Sequence, residues 1–165
     1  MSTVLSISNK LLSIRGRMSI GDENGHTVYD ASGQIAFNPT WTLNKGNEQL
    51  ATVKRKLLAW VPTWNIYSRI GDFSIKRKVF SWTRTYHVIG GQYDGAKIKG
   101  NFWDLKFQIT HRNQCIASAQ GEILSLRDTH SIQVHSNNSE DELFTSIVMV
   151  VLHRDREEDR RSASD

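Results

Sequence analysis

Two basic triplets, Lys54-Arg55-Lys56 and Lys76-Arg77-Lys78, stand 22 residues apart in the chain. Along a strand the middle residue of three points away from its neighbours. Lys54, Lys56, Lys76 and Lys78 can therefore share one face as a row of amines, with Arg55 and Arg77 on the other. Amines in a row attract phosphate, and near an anionic membrane each base contributes about 1 kcal/mol. The plainer reading of the same residues is solubility, because the outward positions of a sheet must be polar in any case. All six are candidates for contact with a lipid headgroup.

No other cluster offers comparable chemistry. His111 and Cys115 are four residues apart across an expected turn, with no third or fourth ligand nearby, so no metal site is assigned. The six His are scattered, and neither a Gly-x-Ser-x-Gly nucleophile motif nor a phosphate loop occurs. Gly90-Gly91 reads as a turn, and Cys115 beside Ile116 reads as a small buried residue. The expectation is a non-enzymatic binding or scaffold module with no cofactor and no catalytic residue.

Charge supports the choice of partner. The net charge of +4 conceals a basic middle: residues 45–112 hold 13 Lys and Arg against four acids, a local +9, while the rest of the chain is −5. Such a field draws anionic partners. A phospholipid surface is the first expectation and a protein partner with no lipid role the second. Nucleic acid ranks last, because its bases would need exposed rings to stack on, and Trp60, Trp82 and Trp103 read as core. One cysteine in 165 residues excludes an intramolecular disulfide. Met1-Ser2-Thr3-Val4 does not begin a secretory signal, and no apolar run reaches the roughly 20 residues that span a bilayer. The expected place is the cytoplasm, peripheral to a membrane.

The elements that position these residues emerge from an internal repeat. A large–polar–aliphatic triplet recurs six times, as Met18-Ser19-Ile20, Trp41-Thr42-Leu43, Trp64-Asn65-Ile66, Tyr86-His87-Val88, Phe107-Gln108-Ile109 and His130-Ser131-Ile132. Its aliphatic members are 21–23 residues apart. Four residues before each triplet stands a large apolar residue: Ile14, Phe37, Trp60, Trp82, Trp103 or Leu126. The lead-in segments repeat as well, Lys56-Leu57-Leu58-Ala59-Trp60 matching Lys10-Leu11-Leu12-Ser13-Ile14 and Lys78-Val79-Phe80-Ser81-Trp82. Period-2 alternation in such residues predicts strands, and turn chemistry follows most triplets, as in Asp22-Glu23-Asn24-Gly25 and Tyr93-Asp94-Gly95. Six two-stranded units make 12 strands. A closed barrel accommodates them without exposed edges. A solenoid has a similar period, but the Leu and Asn ladder of leucine-rich repeats is missing.

The last unit is different. Ser139 and Glu142 read as a capping box, followed by Leu143-Phe144-Thr145-Ser146-Ile147-Val148-Met149-Val150-Val151-Leu152, in which eight of ten residues are large and apolar. Ten residues make about 15 Å of helix, half a bilayer core. An all-round apolar helix that short must be buried in the protein, and its burial is worth about 12–24 kcal/mol before entropy. The expected organisation is one domain over 1–153 and a charged, disordered tail over 154–165.

The repeated units, Ile98-Lys99-Gly100-Asn101-Phe102-Trp103-Asp104 leading into Phe107-Gln108-Ile109, Ser125-Leu126-Arg127-Asp128-Thr129, and the apolar C-terminal helix resemble the LURP-one-related family. That family belongs to the tubby C-terminal-like superfamily, which includes phospholipid scramblases. The resemblance covers residues 4–153. It implies a mainly β fold, a closed 12-stranded β-barrel of hairpin units around a buried C-terminal α-helix. It also implies a link to phospholipids. It supplies no catalytic residue, and the chain has neither a cysteine cluster for acylation nor an acidic Ca²⁺ loop.

Overall fold

Twelve antiparallel strands follow one another around a closed barrel, each paired with its neighbours in sequence, and the last with the first. The computed structural model describes residues 2–10, 16–80, 83–101, 106–123 and 130–164, and only the backbone of 6–10, 121–123 and 130. The first six strands are β1 (Thr3–Lys10), β2 (Arg17–Gly21), β3 (Thr27–Gln34), β4 (Thr40–Lys45), β5 (Glu48–Arg55) and β6 (Thr63–Ser68). The second six are β7 (Phe73–Lys78), β8 (Thr85–Ile89), β9 (Lys97–Asn101), β10 (Lys106–His111), β11 (Gln114–Ile123) and β12 (His130–Val134). Among the described residues one helix, α1, runs from Ser139 to Ser162.

The repeated triplets are the even-numbered strands, and their apolar members line the interior. Met18, Ile20, Trp41, Leu43, Trp64 and Ile66 are all buried, as are their counterparts in β8 and β10 and Ile132 of β12. The bends before β4, β6 and β8 share one device. Thr40, Thr63 and Thr85 each turn the side chain back to donate to the carbonyl two residues earlier, at 2.8, 2.9 and 3.1 Å. The Pro39 and Pro62 carbonyls accept from the Arg55 and Arg77 amides, both at 2.9 Å, so each bend is stitched to the end of the strand beside it. Proline suits this place because it has no amide to leave unpaired. At Gly100 (φ 154°) a Cβ would overlap the Lys106 carbonyl and come within 2.6 Å of the Phe107 Cα. Only glycine lets β9 approach β10 so closely.

Eight strands enclose a space that side chains alone can fill, and twelve enclose more. The helix α1 occupies that space. Leu143 through Leu152 are buried without interruption. Phe144 stacks on Tyr93 with centroids 3.9 Å apart and meets Phe73 at 5.6 Å. The buried Ser146 hydroxyl is satisfied within the helix by the Glu142 carbonyl at 2.9 Å.

Three sequence expectations change. The N-cap is Asn138 and not Ser139: its side chain accepts from the Glu140 amide at 2.9 Å. The Glu142 carboxylate, expected to close a capping box, instead accepts from the Tyr29 hydroxyl at 2.6 Å. The boundary at 153 falls inside α1, whose 24 residues make about 36 Å of helix. Residues 154–162, expected to be disordered, are helical because barrel arginines hold their acids. Third, the apolar position four before each triplet is not core where it is described: Phe37 and Trp60 are fully exposed. Ile14, Trp82, Trp103 and Leu126 lie outside the described residues.

Candidate functional site

The two basic triplets end β5 and β7, and strand alternation divides each between two faces. Lys54, Lys56, Lys76 and Lys78 are exposed on the outer wall. Arg55 and Arg77 turn inward, where the helix takes them up. Arg55 donates from Nε to Glu158 at 3.1 Å and lies over the Trp64 ring at 4.8 Å. Arg77 Nη1 bridges Asp155 at 2.9 Å and Asp159 at 3.2 Å. Arg84, which the sequence did not single out, also bonds Asp159 and lies 3.6 Å from Asp155. Asp155 is 1% exposed and also accepts from the Tyr86 hydroxyl. Neighbouring carboxylates in turn hold Arg77 charged: burial opposes its charge, but Asp155 and Asp159 outweigh that and raise its pKa.

At the other end of the helix Tyr29 donates to Glu142, and Tyr93 donates to Asp141 at 2.6 Å. Three of the four tyrosines thus tie the wall to helix acids, and all three are pushed well above the ordinary phenol range, first by burial and then by those acids. A raised phenol contributes stability that is complete below its unfolded pKa of about 10 and is lost as pH rises through the folded value. The urea midpoint is therefore expected to fall above about pH 10, with the phenolate absorbance of these three tyrosines rising together with unfolding. In a Tyr67→Phe background, which removes the one exposed tyrosine, phenolate appearing in the still-folded protein would show that the three bonds are dispensable.

The outer lysines continue into a wider field. Lys76 pairs across β7–β8 with His87, and His87 pairs across β8–β9 with Lys97. Lys78 lies opposite Thr85, and Thr85 opposite Lys99. Burial, then the amines of Lys97 and Lys78, hold the His87 imidazole below its usual pKa. No ion pair among the described residues involves any of these lysines. Lys97-Ile98-Lys99 is the same alternation as the triplets, with Ile98 in the inward place of the arginine, and that pattern could have revealed it in the sequence.

A second feature lies beside the lysines. In a barrel wound strand by strand, connections that follow odd-numbered strands all emerge at one end. Three described ones carry most of the exposed large apolar side chains: Ile35 and Phe37 after β3, Leu57, Leu58 and Trp60 after β5, and Val79 and Phe80 after β7. Phe37, Leu58 and Phe80 are 97%, 96% and 93% exposed. The turns at the opposite end are polar, such as Asp22-Glu23-Asn24-Gly25 and Gly46-Asn47.

The family model described as LURP-one-related matches residues 3–153. The chain belongs to the LURP-one-related family. No curated protein and no solved structure matches it. The barrel around a helix is the fold that the tubby C-terminal-like resemblance implied. The family match ends at His153, short of the Asp155 and Asp159 carboxylates that fasten the helix in this LURP-one-related protein.

Three further placements complete the comparison with the sequence. Cys115 is exposed, not buried, because β11 leaves its side chain on the outer wall. Its pairing with Thr110 puts it one register step from His111, whose ring lies 5.5 Å from Tyr93. Among the described residues no three His, Cys, Asp or Glu gather as a metal site, and no helix is long and apolar enough to cross a membrane.

Proposed function

We propose that this LURP-one-related protein is a non-enzymatic module that binds anionic phospholipid headgroups through the outer wall of β5, β7 and β9. The observation that carries the proposal is the sorting of each triplet: the arginines are consumed inside by the helix, and the lysines stand outside with no acid paired to them among the described residues. A wall kept polar for solubility alone would mix both signs. Here the outward positions of β7 and β9 are lysines, set in register across the uncharged His87 and Thr85 of β8. Lysine, a compact and rotatable cation, suits diffuse contact with many phosphates.

Sedimentation with phosphatidylserine-containing and pure phosphatidylcholine vesicles across a salt series tests this. Preference for the anionic vesicles is expected, weakening with salt. Lys76→Gln with Lys78→Gln should weaken the anionic preference about 30-fold, at about 1 kcal/mol for each base. Equal binding to both vesicles, or indifference to the two substitutions, would reject the proposal. A mobility shift with nucleic acid in place of vesicle binding would assign the lysines to that partner instead. Trp60, Phe37 and Phe80 are exposed rings on the neighbouring rim, so the mobility shift is the direct test of stacking on bases.

A further inference from the structure

We infer that the apolar rim formed by the connections after β3, β5 and β7 inserts into the interfacial layer of a bilayer, docking the barrel obliquely on that arc of its end, beside the charged last turns of α1. The inference deepens the headgroup proposal and rests on it for the choice of an anionic membrane.

Single exposed apolar residues need no explanation, but a contiguous set marks a surface that something covers. Because β3 through β8 are consecutive around the barrel, the three connections lie side by side on one rim. Charge complementarity identifies the occupant. Lys56 immediately precedes Leu57 and Leu58, and Lys78 immediately precedes Val79 and Phe80. Each lysine thus stands one residue behind an apolar tip, their Cα atoms ~3.8 Å apart. A bilayer has this layering: phosphates outside, and an apolar boundary 5–10 Å further in that takes Trp, Phe and Leu. Trp60, with its amphipathic ring, is the side chain most at home at that boundary. The polar turns at the opposite end have no such tips, so insertion has one direction.

The test uses the full chain with Cys115→Ser and single cysteines introduced as Leu58→Cys, Phe80→Cys or, at the opposite end, Asn47→Cys. Each is labelled with a polarity-sensitive fluorophore and mixed with phosphatidylserine-containing or pure phosphatidylcholine vesicles. Blue-shifted emission quenched by brominated lipid is expected at 58 and 80 and not at 47. Unlabelled L58S/W60S/F80S, whose substitutions touch only exposed tips, should lose vesicle affinity about a hundredfold with unchanged circular dichroism. Salt-sensitive binding without a shift at 58 or 80 would overturn insertion and leave headgroup binding standing. A shift of equal size on pure phosphatidylcholine, insensitive to salt, would keep insertion and reject the headgroup proposal. A sedimenting dimer that L58S/W60S/F80S dissolves, with no vesicle binding by the parent, would give the rim to a second copy and overturn the inference.

Discussion

A chain ending at Asp141 is expected to lose its cooperative unfolding transition. Deletion from Glu142 onward removes Leu143 to Leu152, whose burial is worth about 12–24 kcal/mol before entropy. A domain has only about 5–15 kcal/mol of net stability. The loss also leaves the inward faces of the strands, Trp41, Trp64, Tyr86 and Phe107 among them, around an empty interior. Twelve strands cannot close far enough to refill it with side chains. Heating followed by circular dichroism, with dye binding to exposed apolar surface, checks the result. A sharp melt in the truncated protein would mean that the strands find another core, and that α1 is peripheral to the fold.

The second large effect concerns the opposite end of α1. Asp155→Ala is expected to cost about 3–5 kcal/mol, because it strands buried charge in place of a satisfied pair. Arg77 and Arg84 lose their deepest partner, and Tyr86, fully buried, loses an acceptor of its hydroxyl. Asp159 stays within reach of both arginines, which places the expected loss near the lower figure. Asp159→Ala should cost only about 1 kcal/mol, since that carboxylate is 27% exposed and water can replace much of what it supplies. Urea denaturation of the two variants separates the cases. Removal of 153–165 should cost at least as much as Asp155→Ala. Equal stability of the shortened and full chains would show that the charged segment is helical without being structural.

These two results bear on the headgroup proposal, because the arginines and lysines of one triplet have opposite roles. Exchanging Arg77 should lower stability, and exchanging Lys76 or Lys78 should lower vesicle binding at unchanged stability. Reading the six bases as a single phosphate site would have confused the two effects. Strand parity separates them: within β5 and β7, alternate residues cannot reach the same side.

The repeat was legible in the sequence, and so were the closed barrel and its internal helix. Period-2 alternation and an all-round apolar stretch are local consequences of strand and helix geometry, and they need no tertiary knowledge. The outward set of Lys54, Lys56, Lys76 and Lys78 followed from the same parity. What parity could not decide was the position four before each triplet. In a continuous strand Trp60 and Trp64 would share a face, and both would be core. The strand is not continuous: Pro62 and the Thr63 hydroxyl set a bend between them, β6 begins at Thr63, and alternation starts afresh. Trp64 is therefore buried, and Trp60 is left on the rim. The charged tail was equally ambiguous on composition, because Arg, Glu and Asp in a row are what a solvated end contains. Only the closed barrel, which points Arg55, Arg77 and Arg84 inward at one end, supplies the partners that turn those acids into the fastening of the helix.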